Sequence, residues 1–406
     1  MNNSSIHRPA SLYMSYDGML EPLGQSQVIA YLTPLAKQFA VHIISFEKQN
    51  DSDRGEDMER LRKQLSDAGI IWHPQRYHKR PRVVSTVYDM LRAAISAAII
   101  ARFYRIKLCH ARSLLSAVML IPAIIVGGGR LIFDIRGFWT DERIEGGIIK
   151  ANSTVERTLR WLERGVFRRA DHIVTLTHAS VERLRTDPRF GHPTAPITVI
   201  PTCADLVKFT PADTSESESP FVVGYVGQIG AWYRFDEMIE LYKAFERRLP
   251  GARMLIINRS QQNEVRHALH KAGVSADRYE VVAATRADVP YHVRRMDVGV
   301  VLMIDAFSNF ARAPTKLAEY LGCGIPCVGD PQVGDLQMIL DGEQVGMTMS
   351  DHSPAERERA VDSILALRAD PGLAARCVAS AHRHFSLEDG VARYRAIYHG
   401  LLDDAA

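Results

Sequence analysis

The sequence has few cysteines, and their arrangement excludes two kinds of stabilising site. The 406 residues include only five cysteines. Such an odd, sparse set does not form the disulfide framework of a small secreted domain. Cys323 and Cys327 have no second Cys/His pair nearby in sequence, so we do not expect a zinc site. The cysteines therefore favour a reducing, cytoplasmic environment.

Long apolar runs, a signal peptide and several binding motifs are also missing. The longest apolar runs, Ala93–Ala101 and Leu114–Val126, fall short of the ~18–20 residues that a membrane-spanning helix needs. Met1–Ala10 is polar and lacks the apolar core of a signal peptide. The turn at Glu21–Gln27 lacks the G-x-G-x-x-G fingerprint, which disfavours NAD(P) binding. We expect a cytoplasmic protein, soluble or peripheral to a membrane.

The chain has little net charge, but its charges are unevenly distributed. The formal total is +3, with 28 Lys+Arg and 20 Asp+Glu in residues 1–205 against 22 and 27 in residues 206–406. Residues 76–112 hold nine Lys or Arg against Asp89 alone, flanking the apolar stretch Val87–Phe103. A basic amphipathic helix is typical of contact with anionic lipid, but a buried helix with solvated basic ends fits equally well. No nucleic-acid-binding motif accompanies these cations, so nucleic acid is not expected.

The two halves share one pattern of strand, glycine-containing loop, helix and strand. In the first half, apolar residues recur at helical spacing from Val28 to Phe39, and in the second the pattern restarts at Phe221. Short strands rich in β-branched residues are predicted at Leu12–Tyr16, Val41–Phe46, Leu131–Ile135, Ile173–Leu176, Ile197–Ile200, Val222–Val226, Met254–Ile257, Tyr279–Ala283, Val298–Met303 and Pro326–Val328. This alternation predicts an α/β protein of two Rossmann-like domains, residues 1–205 and 206–385, with a polar linker or surface loop at residues 211–220.

The densest signal in the second half is the segment from Arg312 to Pro326. Pro314 and Thr315 suit a helix start, with Thr315 as the candidate cap and Lys316 in the first turn. A cation there opposes the helix dipole, and an anion bound at the helix N-terminus would explain it. Glu319, one turn later, is placed to accept ribose hydroxyls. The alternative is a solvent-facing Lys316–Glu319 ion pair.

The order of a strand, a Pro-x-Lys-x-x-Glu helix and a Gly-x-Pro strand resembles the donor-nucleotide site of retaining glycosyltransferases of family 4. The resemblance extends over most of the chain, through the segments Ile200–Asp205 with Phe209 and Pro211, Val223–Gly227, Asp288–Gly299, Phe385-Ser386 and Tyr394–Leu402. It implies the GT-B fold, in which two Rossmann-like domains face a central cleft. The second domain would bind the donor and the first the acceptor, and a helix at about residues 386–406 would cross back to the first domain.

The resemblance also implies a donor site that works without a metal or another cofactor. Lys316 and Arg234 would clamp the diphosphate, with Gln228 as a neutral donor. The full predicted donor set is Gly24, Gly227, Gln228, Arg234, Pro314, Thr315, Lys316 and Glu319.

This sequence departs from the family's donor-site pattern at two positions. Many members carry a glutamate eight residues before the ribose-binding one, where this chain has Ala311. An arginine is common at Gln228. Asp305 or Asn309 could contribute from the same loop as Ala311.

Polar residues after the strand Leu131–Ile135 are the candidates in the first half. We predict catalytic roles for Asp134 and Arg136, together with Lys316. Many relatives have a histidine at Arg136, and because arginine cannot accept a proton at pH 7, this residue would orient substrate or stabilise charge. The predicted acceptor set is Glu21, Gln25, Trp139, Asp141 and Glu142, with helix capping as the alternative role of the last two. His110 and Arg112, at a probable strand end, are minor candidates.

The resulting hypothesis is a retaining, metal-independent glycosyltransferase that uses a UDP- or GDP-sugar. Its acceptor would be a glycan or a lipid-linked molecule in bacterial cell-surface polysaccharide synthesis. The basic segment 76–112 would contact the anionic inner face of the cell membrane. The alternatives are a non-catalytic GT-B partner or nucleotide-sugar-binding protein, and a nucleotide-sugar epimerase.

Overall fold

The computed structural model describes residues 8–48, 54–78, 80–212, 220–230 and 232–403. Most of the predicted linker and Lys79 of the basic segment lie outside these residues. The chain forms two compact units. The first comprises the chain to Leu176, Ser180–Ile200 and the chain from Leu387 onward, and the second comprises Thr177–Ala179 and Pro201–Ser386.

Each unit is built on one parallel β-sheet. The first sheet contains β1 (Ala10–Ser15), β2 (Ala40–Glu47), β3 (Ile70–Arg76), β4 (Leu108–Arg112), β5 (Arg130–Asp134), β6 (His172–Thr175) and β7 (Ile197–Val199). The second contains β8 (Val222–Val226), β9 (Arg253–Ile257), β10 (Tyr279–Val282), β11 (Val298–Val301), β12 (Cys327–Gly329) and β13 (Gly346–Thr348). Their orders are β3-β2-β1-β4-β5-β6-β7 and β10-β9-β8-β11-β12-β13. The predicted architecture of two parallel α/β units is confirmed.

Helices connect the strands, as parallel pairing requires. In the first half they are α1 (Pro22–Gly24), a π-helical turn (Gln25–Ile29), α2 (Ala30–Leu35), α3 (Arg54–Asp67), α4 (Arg82–Phe103), α5 (Leu114–Gly127), α6 (Trp139–Glu145), α7 (Thr154–Arg169) and α8 (His178–Thr186). In the second half they are α9 (Phe235–Arg248), α10 (Gln262–Lys271), α11 (Val289–Val293), α12 (Thr315–Gly322), α13 (Leu336–Leu340), α14 (Pro354–Arg368), α15 (Leu373–Phe385) and α16 (Leu387–Asp403). Short 3₁₀ turns lie at Pro188–Phe190, Ala276–Arg278 and Phe307–Ala311.

The sheet of the second unit is buried on both faces, which explains its continuous apolar strands. Along β9, Met254 and Ile256 belong to one buried cluster, while Leu255 and Ile257 belong to the other. Successive side chains of a strand point to opposite faces, so a strand covered by helices on both sides needs no polar alternation. The carboxyl ends of such strands remain the place where polar side chains reach solvent.

Several sequence-based boundaries need correction. His110 lies in the middle of β4, and only Arg112 is at the predicted strand end. The helical segment predicted from Val28 to Phe39 begins earlier, at Pro22, and α2 ends at Leu35. β3 and β13 were not predicted, because β3 contains histidine and proline and β13 has only three residues.

The apolar helix α4 also differs from expectation. Val84–Phe103, 20 residues, is long and apolar enough to cross a membrane by length and composition alone. The prediction from uninterrupted apolar runs missed this helix, because Asp89 and Arg92 interrupt the apolar segment. Only 33% of its most apolar window is buried inside the protein.

Candidate functional site

The predicted donor residues of the second unit gather at the carboxyl edge of its sheet. β8 and β11 are neighbours, and the chain leaves them toward opposite sides of the sheet, since β9 pairs on one side and β12 on the other. Open α/β sheets bind ligands at such a switch point. Here it brings the loop from Gly227 next to the loop from Leu302 and to the first turn of α12.

The glycine loop after β8 is held by neighbouring side chains. Gly227 has φ +126°, a conformation that side chains other than glycine rarely adopt. Asn258 donates through Nδ2 to the Gly227 carbonyl at 3.0 Å, and the amide of Gln261 exchanges two hydrogen bonds of 2.9 Å with the Ile229 backbone. The loop backbone is thus fixed before any ligand binds. Asn258 was missed by the sequence reasoning, although its position directly after β9 could have indicated it.

Lys316 is buried beside this glycine without a hydrogen-bond partner. The residue is 7% exposed, and within the part of the chain that the structure describes Nζ has no hydrogen-bond partner. Nζ lies 4.1 Å and 4.2 Å from the ring centres of Tyr225 and Tyr233, and it would lie 3.2 Å from a Cβ at Gly227. Burial lowers the pKa of Lys316 to about 7, although Glu319 opposes the shift. No carboxylate of the described residues forms an ion pair with this ammonium, and the lack of a side chain at Gly227 lets the loop backbone lie close to it.

Glu319 completes the pair predicted on α12. Burial raises the pKa of its carboxyl group to about 7, against the attraction of Lys316. Both groups therefore change their protonation state near neutral pH. The alternative of a solvent-facing Lys316–Glu319 ion pair with ordinary pKa values does not fit this burial. Because this carboxyl group is partly protonated near neutral pH, it can accept a hydrogen bond from a sugar hydroxyl or donate one to it.

The start of α12 differs from the prediction in its capping residue. Pro314 occupies the N-cap position with extended backbone, and no side chain caps the helix. Thr315 is the first helical residue, so its assignment as the cap was wrong. The Leu317 N–H already donates to the Pro314 carbonyl at 3.1 Å, whereas the N–H groups of Thr315 and Lys316 receive no capping side chain from the described residues and are available to an anion.

Arg234 and Gln228 are placed differently from Lys316. The Arg234 guanidinium donates to the Met303 carbonyl at 3.0 Å and pairs with Asp305 at 3.2 Å. This cation therefore fixes the loop after β11 and is partly neutralised. The Gln228 side chain is exposed, while its carbonyl accepts a 2.5 Å hydrogen bond from the Tyr225 hydroxyl.

The position of the missing glutamate lies in the buried part of the same loop. Ala311 and Asn309 are fully buried. The Asn309 amide donates to the Ile304 carbonyl at 2.5 Å, and its Oδ1 has no hydrogen-bond partner. Asp305 is 78% exposed at its side chain. Of the two candidate substitutes, Asp305 is the one whose carboxylate reaches solvent.

In the first unit, the strand register brings the polar candidates into one row. Ser15 lies beside Arg112, and Arg112 lies beside Asp134, at the carboxyl ends of β1, β4 and β5. Tyr394 of α16 donates to Asp134 Oδ2 at 2.9 Å, and His110 Nε2 lies 3.5 Å from the same oxygen. The aromatic residues of α16 were missed as site residues, because nothing in the sequence near residue 394 indicates its neighbour.

The charges of this row are strongly coupled. Burial alone would raise the pKa of Asp134, but Arg136, 3.6 Å away, and His110 lower it to about 2. Burial lowers the pKa of His110, and the attraction of the Asp134 carboxylate, whose Oδ2 lies 3.5 Å from Nε2, only partly offsets that shift. Asp134 is thus a carboxylate at neutral pH and His110 a neutral imidazole. Arg136 also donates to Gln27 Oε1 at 3.0 Å, which ties it to the π-helical turn.

The predicted residues of the first βα turn serve mainly to hold that turn. Gly24 is buried in the helix, where a Cβ would lie 2.3 Å from the Gly18 carbonyl oxygen. Gln25 donates to the Met19 carbonyl at 2.7 Å, and Glu21 pairs with Lys48 at 2.5 Å. Gly24 therefore packs closely against the preceding loop, and the side chains of Gln25 and Glu21 already have partners.

The residues after β5 have separate roles. Asp141 is buried and forms a two-point ion pair with Arg160, at 2.6 Å and 2.9 Å. Both carboxylate oxygens of Asp141 thus accept hydrogen bonds from Arg160, which gives Asp141 a structural role. Trp139 is half-buried, with the Arg143 guanidinium 5.1 Å from its ring. Glu142 lies against Gly137, where a Cβ would approach its carboxylate to 2.7 Å.

Among the described residues, no group of three or more His, Cys, Asp or Glu side chains could hold a metal ion.

Two family models match the chain, one for each half. The Glycosyltransferase Family 4 model matches residues 24–208, and the Glycosyl transferases group 1 model matches residues 208–384. No curated protein matches the sequence.

Solved structures share the fold over the whole chain at low identity. One is sucrose-phosphate synthase (tll1590) from Thermosynechococcus elongatus, with TM-score 0.72 and 15% identity over 98% of this chain and 100% of that one. A second is Anabaena Alr3699/HepE in complex with UDP and glucose, with TM-score 0.66 and 14% identity over 97% and 100%. A third is the lipopolysaccharide outer core galactosyltransferase WaaB in its apo form, with TM-score 0.63 and 13% identity over 97% and 100%.

Proposed function

Because this chain belongs to the group 1 glycosyltransferases, has the GT-B fold and acts on nucleotide sugars, we propose that it is a retaining enzyme that uses a UDP- or GDP-sugar. The observation that carries the proposal is the unpartnered ammonium of Lys316 beside Gly227 and the uncapped start of α12. Three features that favour a phosphate thus meet in one place.

The diphosphate leaves with additional negative charge when the bond to the sugar breaks. Lys316 and the N–H groups at the start of α12 would stabilise that charge. They are fixed in place before the reaction and need not reorganise during it. Bound phosphate would also raise the pKa of Lys316 from about 7, so that the ammonium is charged when it is needed. We propose that the reaction needs no metal ion, because Lys316 and these N–H groups would stabilise the negative charge that a metal ion would otherwise stabilise.

Glu319 would bind the ribose of the donor, one turn along the same helix from Lys316. Arg234 would act indirectly, by holding the loop after β11 through Met303 and Asp305. Asp305 is the candidate for contacts to the donor sugar that Ala311 cannot make.

The row at the edge of the first sheet would serve the acceptor side of the reaction. Arg136 is a permanent cation held by Asp134, so it can stabilise negative charge but cannot act as a base. The acceptor would be a glycan or lipid-linked molecule in bacterial cell-surface polysaccharide synthesis, and the enzyme would work at the cytoplasmic face of the membrane. The basic segment 76–112 would provide peripheral contact with anionic lipid.

The test compares the wild type with Lys316→Met on radiolabelled UDP- and GDP-sugars. We expect the variant to lose at least about tenfold in donor turnover, equivalent to about 1.4 kcal/mol of transition-state stabilisation. Lys271→Met, at the exposed end of α10, is the matched control and should keep full activity. Activity should also survive EDTA.

An unchanged turnover in folded Lys316→Met would remove Lys316 from the mechanism, and magnesium-dependent recovery after EDTA would refute the metal-free proposal. Conversion of the nucleotide sugar without any acceptor would indicate an epimerase. A complete lack of turnover with retained nucleotide binding would indicate a non-catalytic partner protein.

A further inference from the structure

Helix α4 exposes a continuous apolar stripe, here called the α4 stripe and defined by seven large side chains. They recur at three- and four-residue intervals along one side of the helix and are between 51% and 76% exposed: Val84, Val87, Tyr88, Leu91, Ile95, Ile99 and Phe103. Residues at these intervals lie on the same helix face. Two further exposed residues, Ile125 and Val126, lie at the end of α5, where the following Gly127 packs against Ala101 of α4.

The opposite face of α4 is the one that packs into the protein. Ala93, Ala97 and Ala101 are each at most 1% exposed, and α4 packs on α5. This buried face of small residues allows the two helices to approach closely. A helix in this position belongs to the core of the first unit, so it can lie on a bilayer but cannot cross one without leaving α5.

The exposed charged residues of the segment from Arg76 to Arg112, which carries the α4 stripe, are of one sign among the described residues. Arg76 and Arg80 are exposed before the helix, and Arg102, Arg105 and Lys107 are exposed at its end. The only acidic residue between Arg76 and Arg112 is Asp89. Its carboxylate is fully buried and accepts hydrogen bonds from the backbone and ring of His78, at 2.9 Å and 2.6 Å. No carboxylate of this segment therefore faces solvent beside the stripe.

We propose that the α4 stripe lies in the interface of an anionic lipid bilayer, parallel to its surface. The apolar side chains would enter the boundary between head groups and acyl chains, and the cations at both ends of the helix would contact the lipid phosphates. The one-sided positive charge favours a lipid surface over a second copy of this chain, whose stripe would carry the same charge. This inference rests on the peripheral-membrane part of the proposed function and not on the transfer reaction.

The test is co-sedimentation of the full chain with vesicles of phosphatidylglycerol and phosphatidylcholine, and with phosphatidylcholine alone. We expect binding to the anionic vesicles that weakens at high salt. The double variant Ile95→Glu/Ile99→Glu should bind about tenfold or more weakly. The matched control, Val207→Glu/Tyr291→Glu, introduces the same charges at two exposed apolar residues of the second unit and should bind like the wild type. Lys316→Met should bind the anionic vesicles like the wild type, so vesicle binding is tested independently of glycosyl transfer.

Circular dichroism would verify that both double variants are folded. The single variant Leu91→Gln, which adds no charge, provides a second measure and should weaken binding to a smaller extent. The proposal would be overturned if the wild-type protein failed to bind anionic vesicles at low salt. It would also be overturned if Ile95→Glu/Ile99→Glu bound them as strongly as the wild type. A concentration-dependent dimer that this double variant dissociates, without vesicle binding, would assign the stripe to a second copy instead.

Discussion

Replacing Lys316 by methionine should stabilise the protein while it impairs the enzyme. The substitution keeps a long, unbranched side chain but removes an ammonium that is 7% exposed and has no hydrogen-bond partner. An unpaired buried charge costs folding free energy, because the unfolded chain hydrates it fully. Removal of the charge should therefore raise the free energy of unfolding.

The size of the effect follows from the pKa of Lys316. Burial lowers it from 10.5 to about 7. At about 1.4 kcal/mol per pKa unit, the cost of the charge has an upper limit of about 5 kcal/mol below pH 7. The contacts of Nζ with the rings of Tyr225 and Tyr233 offset part of it, by about 0.5–2 kcal/mol. We expect Lys316→Met to be more stable than the wild type by about 2–4 kcal/mol at pH 7.

The difference should shrink as the pH rises. Between about pH 7 and 10.5 the unfolded chain carries a proton on Lys316 that the folded protein lacks, so wild-type stability increases with pH in this window. The methionine variant lacks this slope. The pKa of Glu319 is raised from 4.5 to about 7, so its ionisation lowers wild-type stability as the pH rises through this range. Lys316 lowers this pKa, so in the methionine variant Glu319 ionises at a higher pH, and the resulting loss of variant stability above pH 7 narrows the gap in the same direction. From pH 7 to pH 9 the gap between variant and wild type should narrow by about 2 kcal/mol.

Urea unfolding followed by circular dichroism at pH 7, 8 and 9 measures this gap. Lys271→Met is the control, because its ammonium is exposed and its removal should change stability by less than about 0.5 kcal/mol at each pH. A Lys316→Met variant that is less stable than the wild type, with a gap independent of pH, would refute the description of Lys316 as a buried, unpaired cation.

Two further predictions concern the loops and helices that support each site. Gly227→Ala places a Cβ at φ +126° and 3.2 Å from Lys316 Nζ, so we expect a loss of about 1–3 kcal/mol in stability and weaker UDP or GDP binding by calorimetry. Gly165→Ala, whose Cβ would meet nothing within 4 Å, should instead be neutral or slightly stabilising, and equal behaviour of the two variants would contradict the role of Gly227. Tyr394→Phe removes the hydrogen bond to the Asp134 carboxylate and should cost about 1.5–3 kcal/mol in urea unfolding, whereas Tyr291→Phe at an exposed site should cost nothing measurable. A Tyr394→Phe variant as stable as the wild type would show that water satisfies Asp134 equally well.

The residues proposed for the donor site could be identified from the sequence because they are close together in it. Pro314, Lys316 and Glu319 lie within six positions of one helix, and the glycine loop directly follows a recognisable apolar strand. Local spacing therefore carried the information. The place of Asn258 directly after a strand marks it as a candidate, but its contact with the Gly227 carbonyl depends on β8 and β9 being neighbours in the sheet, which local spacing does not give.

The acceptor-side candidates show the limits of local spacing. Asp134 and Arg136 were identified by their place after a strand, but the Tyr394 hydroxyl that binds Asp134 is 260 positions away in sequence. Asp141 was predicted to contact the acceptor or to cap a helix, and it is buried and paired with Arg160. Local sequence does not indicate which polar side chains contact one another in the folded protein.

The α4 segment separates what the sequence determined from what the tertiary structure decided. The sequence of this segment was sufficient to predict an apolar helix flanked by cations. It left two interpretations open, contact with a membrane or burial in the protein. Both faces of the helix are apolar, one of alanines and one of larger side chains, so periodicity alone could not indicate which face is buried. Packing against α5 buried Ala93, Ala97 and Ala101, because only small side chains let the two helix backbones approach closely, and the larger residues were left at the surface.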